Sequence, residues 1–429
     1  MVTCAPSSEF RVPCRWSYRQ SVTSCDLRGT QVACNHFTPR MTIMDSSLFA
    51  ASPSGRVLHT RTGYDAFVPD ALPPRLSWQT HTVAALSRAS YAVGTIHGQA
   101  RVEGPPHFEA LLLRRDAVSA ARIEGQRLDI AELITAEATG SPPSRGARLG
   151  LNYIRAFEHA RLEELPLSLR LVRQLHSLLL DGVEDFRSTP GEFRRSQNWL
   201  GPAGCTPSNA VFVPPPVAEM RDLLHNWETS LYEPGNLPPL VRVALAHYQL
   251  TVIHPFLNMN AATGLLFAPL YLHYLEEADV PVLFIGRFLE RRSAEFYQRM
   301  LDVCQRGTWD DWLSFYLHGI EDSANYTAAC VRRLRRLYFQ NVSEARSEAM
   351  DNDALRALDM LFQRPMVSID GAADFLGLTS EASRRALARL EDAGVVTLDT
   401  TPCPVYVAGD IVAALEPDSS PFSVYEAFF

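Results

Sequence analysis

Apolar residues return every three or four positions over most of this chain, and that spacing predicts a protein built mainly from amphipathic helices. The period is plain in WQTHTVAALSRASYAVGTI (Trp78–Ile96) and in HFEALLLRRDAVSAARIEG (His107–Gly125). GSPPSRG (Gly140–Gly146) interrupts it and reads as a linker. Helical spacing resumes at GLNYIRAFEHARLEEL and runs through LRLVRQLHSLLLDGV, VAEMRDLLHNWETSLY, PPLVRVALAHYQLTVI and GLLFAPLYLHYLEE to the long TWDDWLSFYLHGIEDSANYTAACVRRLRRLYFQ. One stretch breaks the pattern. NWLGPAGCTPSNAVFVPPP (Asn198–Pro216) gathers turn formers around one β-capable piece, AVFV, and predicts a hairpin-like loop.

Past Asp353 the text changes character. ALRALDMLFQR, SIDGAADFLGL and SEASRRALARLEDAGVV predict three short helices with a turn at GLTS, and VVTLDTT and PVYVAGD predict strands. Helix–turn–helix followed by a hairpin is the winged-helix pattern. At the other end, residues 1–44 carry no period and are rich in Cys, Ser and Thr. They predict either a disordered head or a true start at Met41 or Met44.

Composition narrows the classes. A chain of 429 residues, 46% of them hydrophobic, can bury a sizeable core in two or three domains. A net charge of −8 argues against a general binder of nucleic acid or anionic membrane, while leaving room for a local basic face. All 40 basic residues are Arg, a bias that fits a GC-rich bacterial genome and removes lysine chemistry from consideration. Four of the 8 cysteines fall in the first 34 residues with no zinc spacing, which argues against a disulfide framework. Neither a secretory signal nor a membrane span is visible, so a cytoplasmic protein with no membrane partner is expected.

The stretch with the look of chemistry is HPFLNMNAATGLL, His254–Leu266. An imidazole placed just before a polar loop that opens a helix can take a proton beside backbone N–H groups that receive an anion. Asn258 and Asn260 are candidate caps for that helix. A core histidine followed by a capped helix start fits the same letters, and the residues alone leave both readings open.

The chain resembles the Fic (Fic/Doc) family, whose signature is H-x-F-x-[D/E]-G-N-G-R-x-x-R. The likeness is carried by ALAHYQLTVIHPF, and also by LPPRL, ALLLRRDAVSAARIEG, NYIRAFEHA, PGEFRRSQNWLG, FVPPP and FYQRMLDVCQRGTWDDWLSFYLHGI, so that it spans Leu72 to Leu415. It implies an all-α Fic domain with a β-hairpin flap over residues 150–340. An N-terminal Fic-associated helical segment over 45–140 and a winged helix over 350–415 flank it. The activity implied is protein adenylylation, the transfer of AMP from ATP, with Mg²⁺, to a protein hydroxyl.

Carried over residue by residue, His254 matches the general base. Asn258 stands where an acidic residue holds Mg²⁺, and is thereby the metal candidate. Met259 and Ala261 replace the two glycines, Asn260 keeps the Asn between them, and Ala262 and Leu265 replace the two arginines. Glu124 matches the glutamate of the family's inhibitory helix, although Ala120 stands at its Ser/Thr position. With no arginine at Leu265, the expected ion pair of Glu124 cannot form, which leaves a solvated helix residue or a residual regulator. Ala210, Val211, Phe212 and Val213 match the flap that pairs with a target peptide. Arg384, Arg385 and Arg389 are the candidate DNA contacts of the winged helix.

The departures bear on function. Asn binds Mg²⁺ less strongly than a carboxylate, and Met or Ala adopts a left-handed backbone only at a cost. Losing an arginine fork on phosphate costs about 2–4 kcal/mol. The expectation is a Fic protein of the adenylyltransferase type with weak or no activity. A non-catalytic binding protein, a winged-helix DNA regulator and an enzyme using another donor are the alternatives. Expected partners are a protein target at the flap, DNA at the winged helix and a second copy of the chain.

Overall fold

The computed structural model describes residues 30–33, 44–100, 108–140, 143–163, 166–183, 189–202, 204–233, 235–276, 283–400 and 403–415. It is mainly α-helical, with three small sheets among the described residues. The expectation of a disordered head or a later start concerns residues 1–44, most of which lie outside the described residues; within them Thr30–Ala33 forms a strand, β1.

After the one-turn α1 (Ser46–Phe49) comes a hairpin of β2 (Gly55–His59) and β3 (Asp65–Pro69), paired from Gly55↔Pro69 to His59↔Asp65. The family resemblance implies a helical segment from residue 45, and this hairpin departs from it; strands this short leave no measurable period in the sequence. α2 (Thr80–Ala100), α3 (Glu109–Ile123) and α4 (Ile130–Thr139) follow. Asp129 caps α4 by accepting the Glu132 N–H at 2.7 Å, and Gly140, in the left-handed region at φ 61°, stops it. Ser144 then caps α5 (Arg145–Leu162), so the predicted linker begins at a helix stop and ends at a helix start.

α6 (Leu169–Leu179), β4 (Asn198–Gly201) and α7 (Val217–Tyr232) lead to the central pair, α8 (Pro239–Ile253) and α9 (Asn260–Glu276). Both are apolar on nearly every side, and such helices are stable only when enclosed. α3, α5, α6, α7 and α12 (Trp309–Ser347) enclose them, with α10 (Gly286–Arg291) and α11 (Ser293–Arg306) closing the end. Trp227 and Trp312 bury their indoles against α8, and their N–H groups donate to the Ala246 and Ala244 carbonyls at 2.9 and 3.1 Å. Gly264 lets the pair approach, since a Cβ there would lie 2.8 Å from the His247 ring. The loop that joins α8 to α9 is therefore held between two enclosed, closely packed helices.

α12 continues into α13 (Asn352–Leu361), β5 (Met366–Val367), α14 (Ile369–Leu376), α15 (Ser380–Asp392), β6 (Thr397–Asp399), β7 (Val405–Val407) and α16 (Gly409–Ala413). β7 lies between β5 and β6, antiparallel to both. Phe362 packs on Phe108, Tyr338 donates to Asp359 at 2.7 Å, and Tyr326 donates to the Leu415 carbonyl, which fixes this unit to the helical body. Among the described residues no helix is long and apolar enough to cross a membrane.

Candidate functional site

His254 ends α8 in the left-handed region, at φ 48° and ψ 62°. Its backbone carbonyl accepts from Arg194 Nε at 3.0 Å and from Asn198 Nδ2 at 3.2 Å. Asn198 Nδ2 also reaches the Phe256 carbonyl at 2.8 Å, and the Arg194 N–H donates to the Pro255 carbonyl at 2.9 Å. The Phe256 ring stacks on His176, 3.8 Å between centroids and 4° from parallel. Asn260 closes the loop from the other end, accepting the Phe256 N–H and donating to the Phe256 carbonyl, each at 2.9 Å. It stands inside α9 as a loop clamp, in place of the cap that its sequence position suggests.

The His254 ring turns into a cavity of ≈ 20 Å³, lined also by Ile123, Thr251, Asn260, Leu265 and Phe296. Nδ1 lies 3.3 Å from the Thr251 carbonyl, a contact that places the ring proton on Nδ1 and leaves Nε2 an acceptor. Nε2 is buried without a protein partner. Burial, and then the nearby Arg194 charge, push the imidazole pKa down to about 3, so the ring is neutral and a weak base.

Glu124 faces the loop from the end of α3. Its carboxylate accepts the Ala262 N–H at 2.9 Å, and it takes the Ala261 N–H as well. Those donors belong to the first turn of α9, the positive end of the helix dipole. Burial raises the Glu124 carboxyl to about 7, against the lowering effect of the two N–H groups. Of the two readings the sequence leaves for Glu124, the solvated helix residue does not hold: its carboxyl is buried on the helix start.

The sequence of this region matches the model of the Fic/DOC family over residues 166–272 and that of the Fic/DOC family N-terminal region over residues 83–161. The chain carries a Fic/DOC domain. Protein adenylyltransferase Fic of Drosophila willistoni is 32% identical over 119 residues, which are 28% of this chain and 22% of that protein. Its counterpart in Drosophila grimshawi is 32% identical over 121 residues, again 28% of this chain and 22% of that protein. The chain therefore matches less than a quarter of the length of these curated relatives. A crystal structure of a Fic family protein from Desulfovibrio desulfuricans G20 superposes with a TM-score of 0.48 at 19% identity, over 78% of this chain and 98% of that one.

The residues of the Fic/DOC loop do not fit ATP and Mg²⁺. The Asn258 Oδ1 is buried, and the residue hydrogen-bonds His176 rather than opening toward a cation. Among the described residues no group of His, Cys, Asp and Glu is arranged to hold a metal ion. Met259 keeps the left-handed backbone of the glycine it replaces, at φ 52°, and buries its side chain in the loop. Ala262 and Leu265, almost fully buried, supply no charge where arginines would stand. The anion-binding N–H groups hold Glu124 instead. A cavity of ≈ 20 Å³ suits a water molecule.

The structure places two further groups of predicted site residues as follows. In the Fic flap, Leu200 pairs with Phe212, but Ala210, Val211, Phe212 and Val213 are all buried. Phe212 packs with Phe67 and Phe49 at centroid distances of 6.2 and 6.4 Å, and the Ala210 and Val213 carbonyls accept from Met44 and Phe67 at 2.7 and 3.0 Å. That edge is covered by the chain's own hairpin, which the sequence did not announce. In the C-terminal unit, Arg384 pairs with Glu381 at 2.7 Å, and Arg389 reaches Asp351 at 3.5 Å and the Ala349 carbonyl at 3.4 Å. Arg385 is exposed on the same helix.

Arg194, Asn198 and His176 were not singled out from sequence. In FRRSQNW one arginine is buried and the next, Arg195, is exposed; no periodicity distinguishes them.

Proposed function

We propose that this Fic/DOC protein has lost AMP transfer and works as a non-catalytic binding scaffold. The observation that carries the reading is the Glu124 carboxylate on the Ala262 N–H, where an adenylyltransferase would place a phosphate. Phosphoryl and nucleotidyl transfer rest on positioning and on neutralising negative charge. Here the buried Glu124 carboxyl occupies the remaining donors, and positions 262 and 265 hold Ala and Leu in place of arginines.

Two residues that persist from the family motif serve the fold of the loop: the Phe256 ring stacks on His176, and Asn260 bonds the Phe256 backbone. The carbonyls of His254, Pro255 and Phe256 anchor the loop to Arg194 and Asn198, and Asn260 clamps it.

We read residues 352–415 as a winged helix used for packing rather than for DNA. The segment holds five arginines against nine carboxylates, a balance that opposes a phosphate backbone. Arg384 and Arg389 are engaged with carboxylates of the chain itself.

The test is calorimetry with Mg²⁺ and ATP, together with transfer of radiolabel from α-labelled ATP to the protein and to a bacterial lysate. No heat of binding and no labelling are expected. Labelling that disappears in His254→Ala would restore the enzyme reading.

A further inference from the structure

We propose that the chamber enclosed by α3, α10 and α12 is a halide site, in which a chloride ion accepts from the Ser323 hydroxyl and lies between the guanidiniums of Arg115 and Arg287. The chamber has a volume of ≈ 20 Å³ and shares no lining residue with the cavity into which His254 turns. Arg115 and Asp116 reach it from α3, Arg287 from α10, and Ser323 and Tyr326 from α12. Nothing in the Fic loop takes part, so the site is independent of whether that loop is silent.

The first observation is Ser323. It is only 4% exposed, and its Oγ is buried with no protein partner. A buried hydroxyl without a partner is costly, and such groups as a rule meet an ordered water or ion. The second is charge. Both guanidiniums are largely enclosed, their side chains 13% and 15% exposed. Arg115 donates to the Ser119 hydroxyl at 3.1 Å and stands 3.9 Å from Glu290. Arg287 stands 3.5 Å from Asp322 and lies 4.3 Å over the Tyr326 ring. Glu290 and Asp322 lie outside the lining, and Glu290 also accepts from Ser119 and Arg122 at 2.7 and 3.2 Å. The acid that does line the chamber is Asp116. Its two oxygens accept the Tyr153 hydroxyl at 2.5 Å and the Gly286 N–H at 2.8 Å. Burial pushes its carboxyl up to about 6, against the lowering effect of those donors.

The chamber thus presents two fixed positive charges and a hydroxyl donor, with its own acid engaged elsewhere. A cation would face both guanidiniums. A cavity of this size holds one water or an occupant not much larger, and a halide is the anion nearest to that size. The position also gives the ion a structural part. Tyr326, whose ring carries Arg287, donates to the Leu415 carbonyl at the end of the C-terminal unit. An ion here ties α3 to α12 and, through Tyr326, to that unit.

The experiment follows thermal melting of the full chain as sodium gluconate is replaced by sodium chloride at constant ionic strength, which holds general screening fixed. An ion that binds the folded state alone raises the melting temperature in proportion to its occupancy. A rise of several degrees with a single half-saturating concentration is expected. Ser323→Ala removes the hydroxyl donor with little change of packing and should raise that concentration about tenfold or more. Arg385→Ala, on an exposed face of α15, should match the wild type. A crystal grown in bromide should show an anomalous peak in the chamber, within hydrogen-bond distance of Ser323 Oγ. Melting indifferent to chloride at fixed ionic strength overturns the site. Chloride dependence that Ser323→Ala leaves unchanged also overturns it, since the hydroxyl then meets only water or a carbonyl of α12. Bromide peaks confined to other places do the same.

Discussion

The carboxylate of Glu124 and the backbone nitrogen of Ala262 are 2.9 Å apart, so the two elements that face each other across this site are joined without any arginine between them. Sequence comparison within the motif suggests that Glu124 lost its role when Leu265 replaced its partner. The geometry says otherwise: a helix N-terminus is itself an adequate partner for a carboxylate.

That contact has a pH signature. Burial raises the Glu124 carboxyl from 4.5 to about 7, so the folded chain holds its proton over a range where the unfolded chain has released it. Its contribution to stability is full below pH 4.5 and is lost as pH rises through about 7. The magnitude is about 3 kcal/mol at most. Glu124→Gln does not titrate. Urea denaturation should show the variant gaining stability on the wild type between pH 5 and pH 8. Asp116, also raised by burial, is present in both proteins and cancels. A difference that stays constant with pH would place Glu124 outside the folded-state titration.

A second prediction concerns Arg194, a buried guanidinium that donates to the carbonyls of His254, Ser196, Pro215 and Ile253. Removing it strands buried acceptors, each costing about 1–3 kcal/mol. Arg194→Met should destabilise the chain by about 3 kcal/mol or more. Arg194→Lys should recover little of that, because an ammonium cannot span four acceptors in one plane. Denaturant midpoints of the three proteins decide it, and a Lys variant as stable as the wild type would contradict the fork geometry.

Much of this architecture was legible in the letters. The α8–α9 pair shows as two apolar runs around His254, and the C-terminal unit shows in its turn at Gly377, left-handed at φ 64°, followed by the Thr379 cap. What stayed hidden was long-range. Nothing local in DAFVP or in TQVA says that it will cover the flap, because strand pairing depends on partners more than a hundred residues away. Met259 misled in a subtler way: its type argues against a left-handed backbone, and the anchored loop imposes one regardless.

The C-terminal unit gives the third prediction. With Arg384 and Arg389 turned toward Glu381 and Asp351, only weak and unspecific attraction to DNA remains. At about 150 mM salt, where screening acts within roughly 8 Å, no DNA fragment should be retarded by the wild type. Arg385→Ala should leave that result unchanged. Retardation by the wild type that Arg385→Ala weakens equally across sequences would revive the regulator.

The last prediction rebuilds what the loop lacks. Asn258→Asp, Met259→Gly, Ala261→Gly, Ala262→Arg and Leu265→Arg restore the metal ligand, the backbone approach and the phosphate charges. Positions 262 and 265 are almost fully buried, so new guanidiniums there are stable only beside an anion. With Glu124 present, that anion is Glu124: the rebuilt chain should fold but bind ATP weakly. With Glu124→Gly added, the anion must come from solution, and Mg²⁺ with ATP should raise the melting temperature by several degrees and permit labelling from α-labelled ATP. Single reversions should do almost nothing, since each group acts through the others. Labelling should vanish with His254→Ala, because Nε2 is the acceptor that faces the cavity. A rebuilt protein that binds ATP yet labels nothing would mean that the loss extends beyond the loop to the buried, weakly basic setting of His254 itself.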